Sequence, residues 1–248
     1  MADKIRLNKF IASCGFCSRR KADEYILEGR VKVNGTIVKE IGTSITLKDK
    51  ILIDNKPIAT PKLTYIRYYK PAGYITTMDD EKGRKTIYDL LPEEVKHLKP
   101  VGRLDKDSTG LLIMTNDGDL INQLTHPSIK IPKVYRVVAE GKVTIENLHT
   151  MAKGIEIEKG KIAYADSQII DFEGKNTVLE IILYQGLNRQ IRKMLDYVGH
   201  PVISLKRVSC ANIDLSGLKR GQFKYLKPKQ IADLKNYIKK IEKLNLDK

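Results

Sequence analysis

The sequence predicts an α+β chain in two parts: a small module of two helices and a β-hairpin, then a larger domain built on a mixed or antiparallel sheet. Three observations predict it. Helix signals crowd into the first thirty residues and a hairpin signal follows at once. Pro57 and Pro61 then interrupt the pattern, and beyond them short β-like runs alternate with turn residues and only a few helices. The expected divisions are 1–56, a linker at 57–63, and 64–248.

In the first part, Leu7, Phe10, Ile11 and Cys14 follow helical spacing, and Gly15 is placed to stop that helix. Ser18 offers an N-cap to a second helix, which opens with Arg19, Arg20 and Lys21 and ends at Gly29. Cations at the positive end of a helix dipole are each disfavoured by ~0.3–1 kcal/mol, so these three break a local rule. Function explains the breach: forked donors beside a hairpin meet phosphates and position RNA without reading its sequence. The hairpin itself is written as Val31-Lys32-Val33, the turn Asn34-Gly35, and a return over 36–39.

In the second part, strands are expected at 65–69, 111–115, 135–140, 168–172 and 178–184. Helices are expected at 119–124, 145–153, 189–198 and from Pro228 onward, the last a Lys-rich amphipathic helix with a solvated face.

Charge narrows the function classes. Lys and Arg outnumber Asp and Glu by 45 to 30, a net +15 that draws a polyanion, and nucleic acid is the expected partner. A membrane is not: no apolar run approaches the ~20 residues that span one, and MADKIRLNKF lacks a signal peptide's apolar core, so a cytoplasmic protein is expected. Cys14-Gly15-Phe16-Cys17 has the spacing of zinc and thiol sites. Only Cys210 and scattered His remain to complete a metal site, and no strand leads into the pair, so neither metal nor redox chemistry is expected.

The stretch GRLDKDSTGLLIMTNDGDL, 102–120, sets Asp105 on a loop braced by an apolar strand, the kind of loop that presents a reactive group rigidly. Asp105, Asp107 and Thr109 share the spacing of the first motif of haloacid-dehalogenase-type phosphotransferases. The context is wrong for it, because the lead-in is Gly-Arg-Leu rather than an apolar strand and no magnesium-binding carboxylates follow at the right place. A solvated turn remains the plain reading of these acids.

Four stretches then change the weighting: KPAGYITT (70–77), GRLDKDSTGLLIMTNDGD (102–119), THPSIKIPKVYRV (125–137) and GLNRQIRKMLDYVGHPV (186–202). In that order they resemble the RsuA/RluB-type bacterial ribosomal RNA pseudouridine synthases. LNKFIASCGFCSRRKADEYILEGRVKVNG (7–35) is similar to the αL-type RNA-binding module that this family carries, found also in a small-subunit ribosomal protein. The resemblance implies a pseudouridine synthase catalytic domain that isomerises uridine with no cofactor and no metal. Asp105 looks like its catalytic aspartate, Tyr135 like the tyrosine against the target base, and Arg192 like the cation paired with the aspartate.

The residue types suit that chemistry. A C–N glycosidic bond breaks, the uracil turns and a C–C bond forms, so a carboxylate suffices as covalent or charge-stabilising partner, and a guanidinium orients it through forked hydrogen bonds. A phenol is a weak base near neutral pH, so Tyr135 would need activation to remove a ribose 2′ proton. Without the resemblance, Tyr135 reads as an ordinary half-buried strand tyrosine and Arg192 as part of a solvated basic face. Arg19, Arg20, Lys21, Lys70, Arg103 and Arg189 are the expected RNA-binding cations, with Lys70 and Tyr74 also shaping the cleft wall. Asp107 is expected to shape the loop.

GLNRQIRKM with GHPVISLKRV looks most like the RluB large-subunit branch, which implies large-subunit ribosomal RNA or its assembly precursor as partner and a monomeric enzyme. The alternatives are small-subunit ribosomal RNA as target, or a non-catalytic RNA-binding or ribosome-assembly protein that keeps the fold.

Overall fold

Apolar spacing and glycine position decide the local turns, and the rest of the architecture follows from what those turns bring together. The computed structural model describes residues 4–78 and 80–246. The chain divides into two units, Met1–Thr64 with Asn116–Gly118, and Tyr65–Thr115 with Asp119–Lys248.

The first unit runs β1 (Ile5–Arg6), α1 (Leu7–Ser13), α2 (Arg19–Leu27), β2 (Val31–Val33), β3 (Thr36–Ile37), β4 (Ser44–Ile45), β5 (Ile51–Ile53) and β6 (Lys56–Pro57). Gly15 sits at φ +75°, where a side chain would be strained, and turns the chain between the helices. The Ser18 hydroxyl accepts from Lys21 N at 3.2 Å, the cap that the sequence predicts for α2. Leu7, Phe10, Ile11, Ala22 and Ile26 from the helices pack on Val31, Ile51 and Ile53 from the sheet, a core too small to be stable without all of these elements together. The sheet extends past its expected end: Pro57 pairs with Leu52 in β6, and Ile58 still packs on the core.

The second unit runs β7 (Tyr65–Lys70), α3 (Glu93–Lys96), β8 (Lys99–Pro100), β9 (Thr109–Thr115), α4 (Gly118–Thr125) and β10 (Lys133–Ala139). There follow α5 (Ile145–Lys153), β11 (Ile155–Glu158), β12 (Lys161–Ala163), β13 (Asp166–Glu173), β14 (Asn176–Leu183), α6 (Gln190–Tyr197), β15 (Val202–Cys210), β16 (Ile213–Asp214), β17 (Phe223–Tyr225) and α7 (Pro228–Leu246). The main sheet has the order β13, β14, β10, β15, β9, β7, β17, antiparallel except where β15 meets β9 in parallel.

That central position explains the apolar run LLIM. Leu111 and Ile113 face a cluster with Leu120, Leu124, Leu234 and Ile238 from α4 and α7, while Leu112 and Met114 face Ile66, Tyr68, Val95 and Leu98. A strand covered on both sides reads as a continuous apolar stretch rather than an alternating one. At the other end, α5 and α6 lay Leu148, Met151, Ile191, Met194 and Leu195 over Val137, Leu179, Ile181 and Leu205.

The expected strands and helices of this unit all occur, with ends shifted by a residue or two. The expected helix at 189–198 starts later, because Arg189 adopts the left-handed conformation (φ +52°) and stands outside α6. The central strand β15 is absent from the sequence expectation. Its apolar alternation is interrupted by Lys206 and Arg207, and Arg207 is nevertheless buried, its Nε donating to Leu111 O at 2.7 Å. A buried cation with a backbone acceptor looks, in sequence, like a surface residue.

Candidate active site

Asp105 lies on the turn between β8 and β9, and KPAGYITT holds that turn by its backbone. The Lys70 ammonium donates to Asp105 O at 3.0 Å, to Ser108 O at 2.9 Å and to Pro71 O at 3.0 Å. Gly73 N donates to Lys106 O at 2.7 Å. The Thr76 hydroxyl donates to Leu104 O at 2.8 Å and accepts from Leu104 N at 3.3 Å. Two motifs some thirty residues apart are therefore one structural device, in which the first clamps 104–108 of the second. Three carbonyls sharing one ammonium form a rigid anchor, since each is satisfied only while the loop keeps its shape.

Lys70 is 0% exposed, so its expected contact with RNA does not occur in this arrangement. Its charge is spent inside the loop. Burial pushes its ammonium pKa down to about 8, against the pull of the Asp105 and Asp107 carboxylates.

The Asp105 side chain is half-buried and faces an open cleft of about 510 Å³, lined also by Thr76, Arg84, Arg103, Lys106 and Arg189. Its carboxylate makes no hydrogen bond or ion pair among the described residues; only its carbonyl is engaged. A carboxylate on an immobile backbone, free of partners and ringed by cations, is available to a polyanionic substrate and still chemically uncommitted. Of the cleft cations, Arg84 is already held by Asp80 through its Nη2 at 2.5 Å.

Arg192 does not pair with Asp105. Its Nη2 lies 3.2 Å from the Asp107 carboxylate, while its remaining hydrogen bonds are long, 3.4 Å to Asp107 O and 3.5 Å to Val202 O. Arg189 reaches the same Asp107 carboxylate at 3.3 Å. The expected aspartate–arginine pair thus forms two residues further along the loop, because Asp107 extends toward α6 and Asp105 toward the cleft. Asp107 is more than a loop-shaping residue, and nothing in the sequence separates the two acids by partner.

Tyr135 lies on β10 opposite Arg207 and is 8% exposed. It belongs to the same apolar cluster as Leu104, the residue before Asp105, and its hydroxyl has no partner among the described residues. It is not among the residues that line the cleft. The neighbouring strand β15, whose Arg207 stands opposite Tyr135, is brought close to the Asp105 loop by Gly110, which pairs with Arg207 in parallel register. A Cβ on Gly110 would stand 2.2 Å from Arg207 O, and the residue has φ +116°. No other residue type fits there.

In the first unit, Arg19, Arg20 and Lys21 are exposed at the start of α2. Neither Cys14 nor Cys17 is in a disulfide among the described residues, and burial pushes the Cys14 thiol up, away from reactivity. The residues missed by sequence reasoning are Gly73 and Thr76 as clamps and Arg207 as a buried strand cation; the Thr-Thr of KPAGYITT was the available signal for one of them.

A paired sheet with a clamped aspartate in a cationic cleft is also what comparison finds. Residues 64–197 match the family model described as RNA pseudouridylate synthase, and residues 5–51 match the S4 domain. The chain is similar to an RNA pseudouridine synthase of Aquifex aeolicus, 41% identical over 93% of this chain and 94% of that protein. It is similar to the ribosomal large subunit pseudouridine synthase B of Bacillus subtilis, 39% identical over 93% and 95%. The dual-specificity RNA pseudouridine synthase RluF of Salmonella typhi is 35% identical over 92% and 78%. A crystal structure of a pseudouridylate synthase aligns with TM-score 0.67 and 28% identity, covering 93% of this chain and 99% of that one. The chain belongs to the RsuA/RluB-type RNA pseudouridine synthases, with an S4 domain ahead of the pseudouridine synthase domain, and is an isomerase acting on RNA.

Proposed function

We propose that this chain converts a particular uridine of large-subunit ribosomal RNA to pseudouridine, with Asp105 as the catalytic aspartate. The observation that carries the reading is the clamped, unpartnered Asp105 carboxylate in a cleft lined by Arg103, Lys106 and Arg189. The target base must leave its stack to reach Asp105, a step of a few kcal/mol that is smallest in loops, and the cationic rim offsets part of it. There Asp105 assists departure of uracil from C1′, and the freed ring re-adds through C5. Tyr135, in the same apolar cluster as Leu104, is the residue for the base-facing role and for removal of the ribose 2′ proton.

Arg103 and Arg189 hold flanking phosphates at the cleft, and Arg19, Arg20 and Lys21 hold them on the S4 unit. The name of the Bacillus subtilis relative supports the large-subunit target. A monomeric cytoplasmic enzyme goes with this reading, and no described helix is long and apolar enough to cross a membrane. The free Asp105 carboxylate is difficult to explain in a non-catalytic assembly protein.

Affinity cannot test the target, since a +15 chain binds any RNA at low salt. Pseudouridine is instead mapped in both ribosomal RNAs from cells with and without the gene. Loss of a single large-subunit site supports the assignment, and loss confined to the small subunit overturns it.

A further inference from the structure

We propose that Phe16 is a nucleobase-stacking site of the S4 unit, which holds one unpaired base of the RNA while the neighbouring cations of α2 hold its phosphates. This rests on the reading of Arg19, Arg20 and Lys21 given above.

Cys14 and Cys17, on either side of the turn between α1 and α2, pack on the core of the unit, whereas Phe16 stands outside it, 45% exposed. A lone exposed apolar residue is ordinary. This one is held in place. Its ring lies 5.9 Å from that of Tyr25 at an interplanar angle of 73°, an edge-to-face contact. Tyr25 is fixed in turn by packing on the core and by the Arg30 guanidinium, 3.9 Å from its ring centroid. Arg30 Nε donates to the Asp54 carboxylate at 2.8 Å. The contacts run from Asp54 through Arg30 and Tyr25 to Phe16, and the last of them is an aromatic ring presented to solvent on a fixed support. Little side-chain freedom is left for it to lose when a partner lands on it.

The surroundings of the ring select its partner. Lys21 Nζ lies 5.4 Å from the centroid of the same Tyr25 ring, and Arg19 and Arg20 are exposed on the same first turn of α2. Arg20 has no side-chain partner among the described residues. An apolar protein surface gains nothing from cations at its border, whereas a single-stranded nucleotide brings a π face and a phosphate together. Stacking tolerates every base, which agrees with cations that position RNA without reading its sequence. A paired helix offers no free base face except at its ends, so the site favours unpaired over paired RNA.

The probes are a single-stranded oligoadenylate, which offers no uridine to the Asp105 cleft, and a fully paired RNA duplex of the same length, each titrated with the full chain at several salt concentrations. Phe16→Ala and Phe16→Leu are expected to weaken single-strand binding at least about fivefold and to change duplex binding less than about twofold. Their salt slope stays that of the wild type, because the ring carries no charge. Phe16→Tyr and Phe16→Trp keep a π face and should bind the single strand within about twofold of the wild type or more tightly, a rescue that lost apolar bulk alone would not separate from Leu. Thermal unfolding checks each variant, and Phe16→Leu carries the test if Ala loses the fold. Single-strand affinity in Phe16→Leu equal to the wild type, or an equal loss on single strand and duplex, overturns the proposal. A wild-type salt slope in the triple Ala variant of Arg19, Arg20 and Lys21 overturns the phosphate reading alone, and the stacking site stands if Phe16→Leu still loses the single strand.

Discussion

The Lys70 ammonium donates to the carbonyl oxygen of Asp105 at 3.0 Å from a position sealed from solvent. The same nitrogen holds Ser108 O, so the two ends of the turn that carries Asp105 and Asp107 are tied to one atom. The carboxylates are free to differ in partner because the backbone beneath them is not free to move.

Replacing Lys70 with Met keeps the volume and removes the donor. Three carbonyls then lose their common partner, each worth ~1–3 kcal/mol when buried, while the burial cost of the ammonium is relieved. A net loss of about 2 kcal/mol and at least a tenfold fall in rate are expected. Urea unfolding and single-turnover assays check the two separately; full activity in a destabilised variant would show that the clamp serves folding alone.

The wild type should also show a basic limb from this residue. Burial lowers Lys70 from 10.5 to about 8 in the folded protein, so between those values the unfolded chain binds more protons. Its contribution to stability therefore rises with pH through that window, and below about 8 its burial penalty is present in full. Deprotonation leaves two N–H groups for three carbonyls, so the rate is expected to fall above pH 8 without a matching fall in stability. A rate flat to about pH 10 would remove Lys70 as the titrating anchor.

Much of this was legible in the sequence where local rules and tertiary needs agree. Gly15, Ser18 and Asn34-Gly35 mark turns and caps that depend on neighbours a few residues away, and the apolar run at 111–114 announces a strand buried on both faces. What was not legible depends on partners far along the chain. Lys70 and Arg207 look like surface cations until the carbonyls that receive them are known. Asp105 and Asp107 are equivalent in pattern, and only the position of α6 assigns Arg192 to one of them.

Asp105→Asn is expected to abolish isomerisation and leave RNA affinity within a few-fold. The amide is nearly isosteric, the residue's anchoring bonds run through its carbonyl, and the cationic rim is unchanged. Pseudouridine formation above a tenth of the wild-type rate would sink the assignment of the aspartate.

Gly110→Ala is expected to lose about 3 kcal/mol or more of stability. The new methyl meets backbone, Arg207 O at 2.2 Å and Arg207 N at 2.5 Å, and neither can swing away as a side chain end would. Gly160→Ala is the control for backbone strain alone: φ is +74° with nothing within 4 Å, and about 1 kcal/mol is expected. Equal losses in the two variants, read by chemical denaturation, would show that the close approach of β9 and β15 matters less than φ.

The last prediction concerns the cations of α2. Changing Arg19, Arg20 and Lys21 together to Ala should raise the RNA concentration needed without abolishing turnover, since none belongs to the Asp105 cleft. Each phosphate of a single strand that the protein no longer neutralises flattens the log-log salt dependence by ~0.7, so three reduce the slope by roughly 2. The three should not contribute alike. Lys21 is paired with Glu24 at 2.5 Å and must exchange that partner for a phosphate, and Arg19 Nη2 lies 3.5 Å from Asn8 Oδ1. Arg20 has no side-chain partner among the described residues and should account for the largest single loss. Binding titrations of each single variant and of the triple variant, at several salt concentrations, read this directly. An unchanged slope in the triple variant would mean that the S4 unit meets RNA through other residues, whereas an unchanged slope in Arg20→Ala alone would move the main phosphate-binding role to a neighbour on the same helix turn.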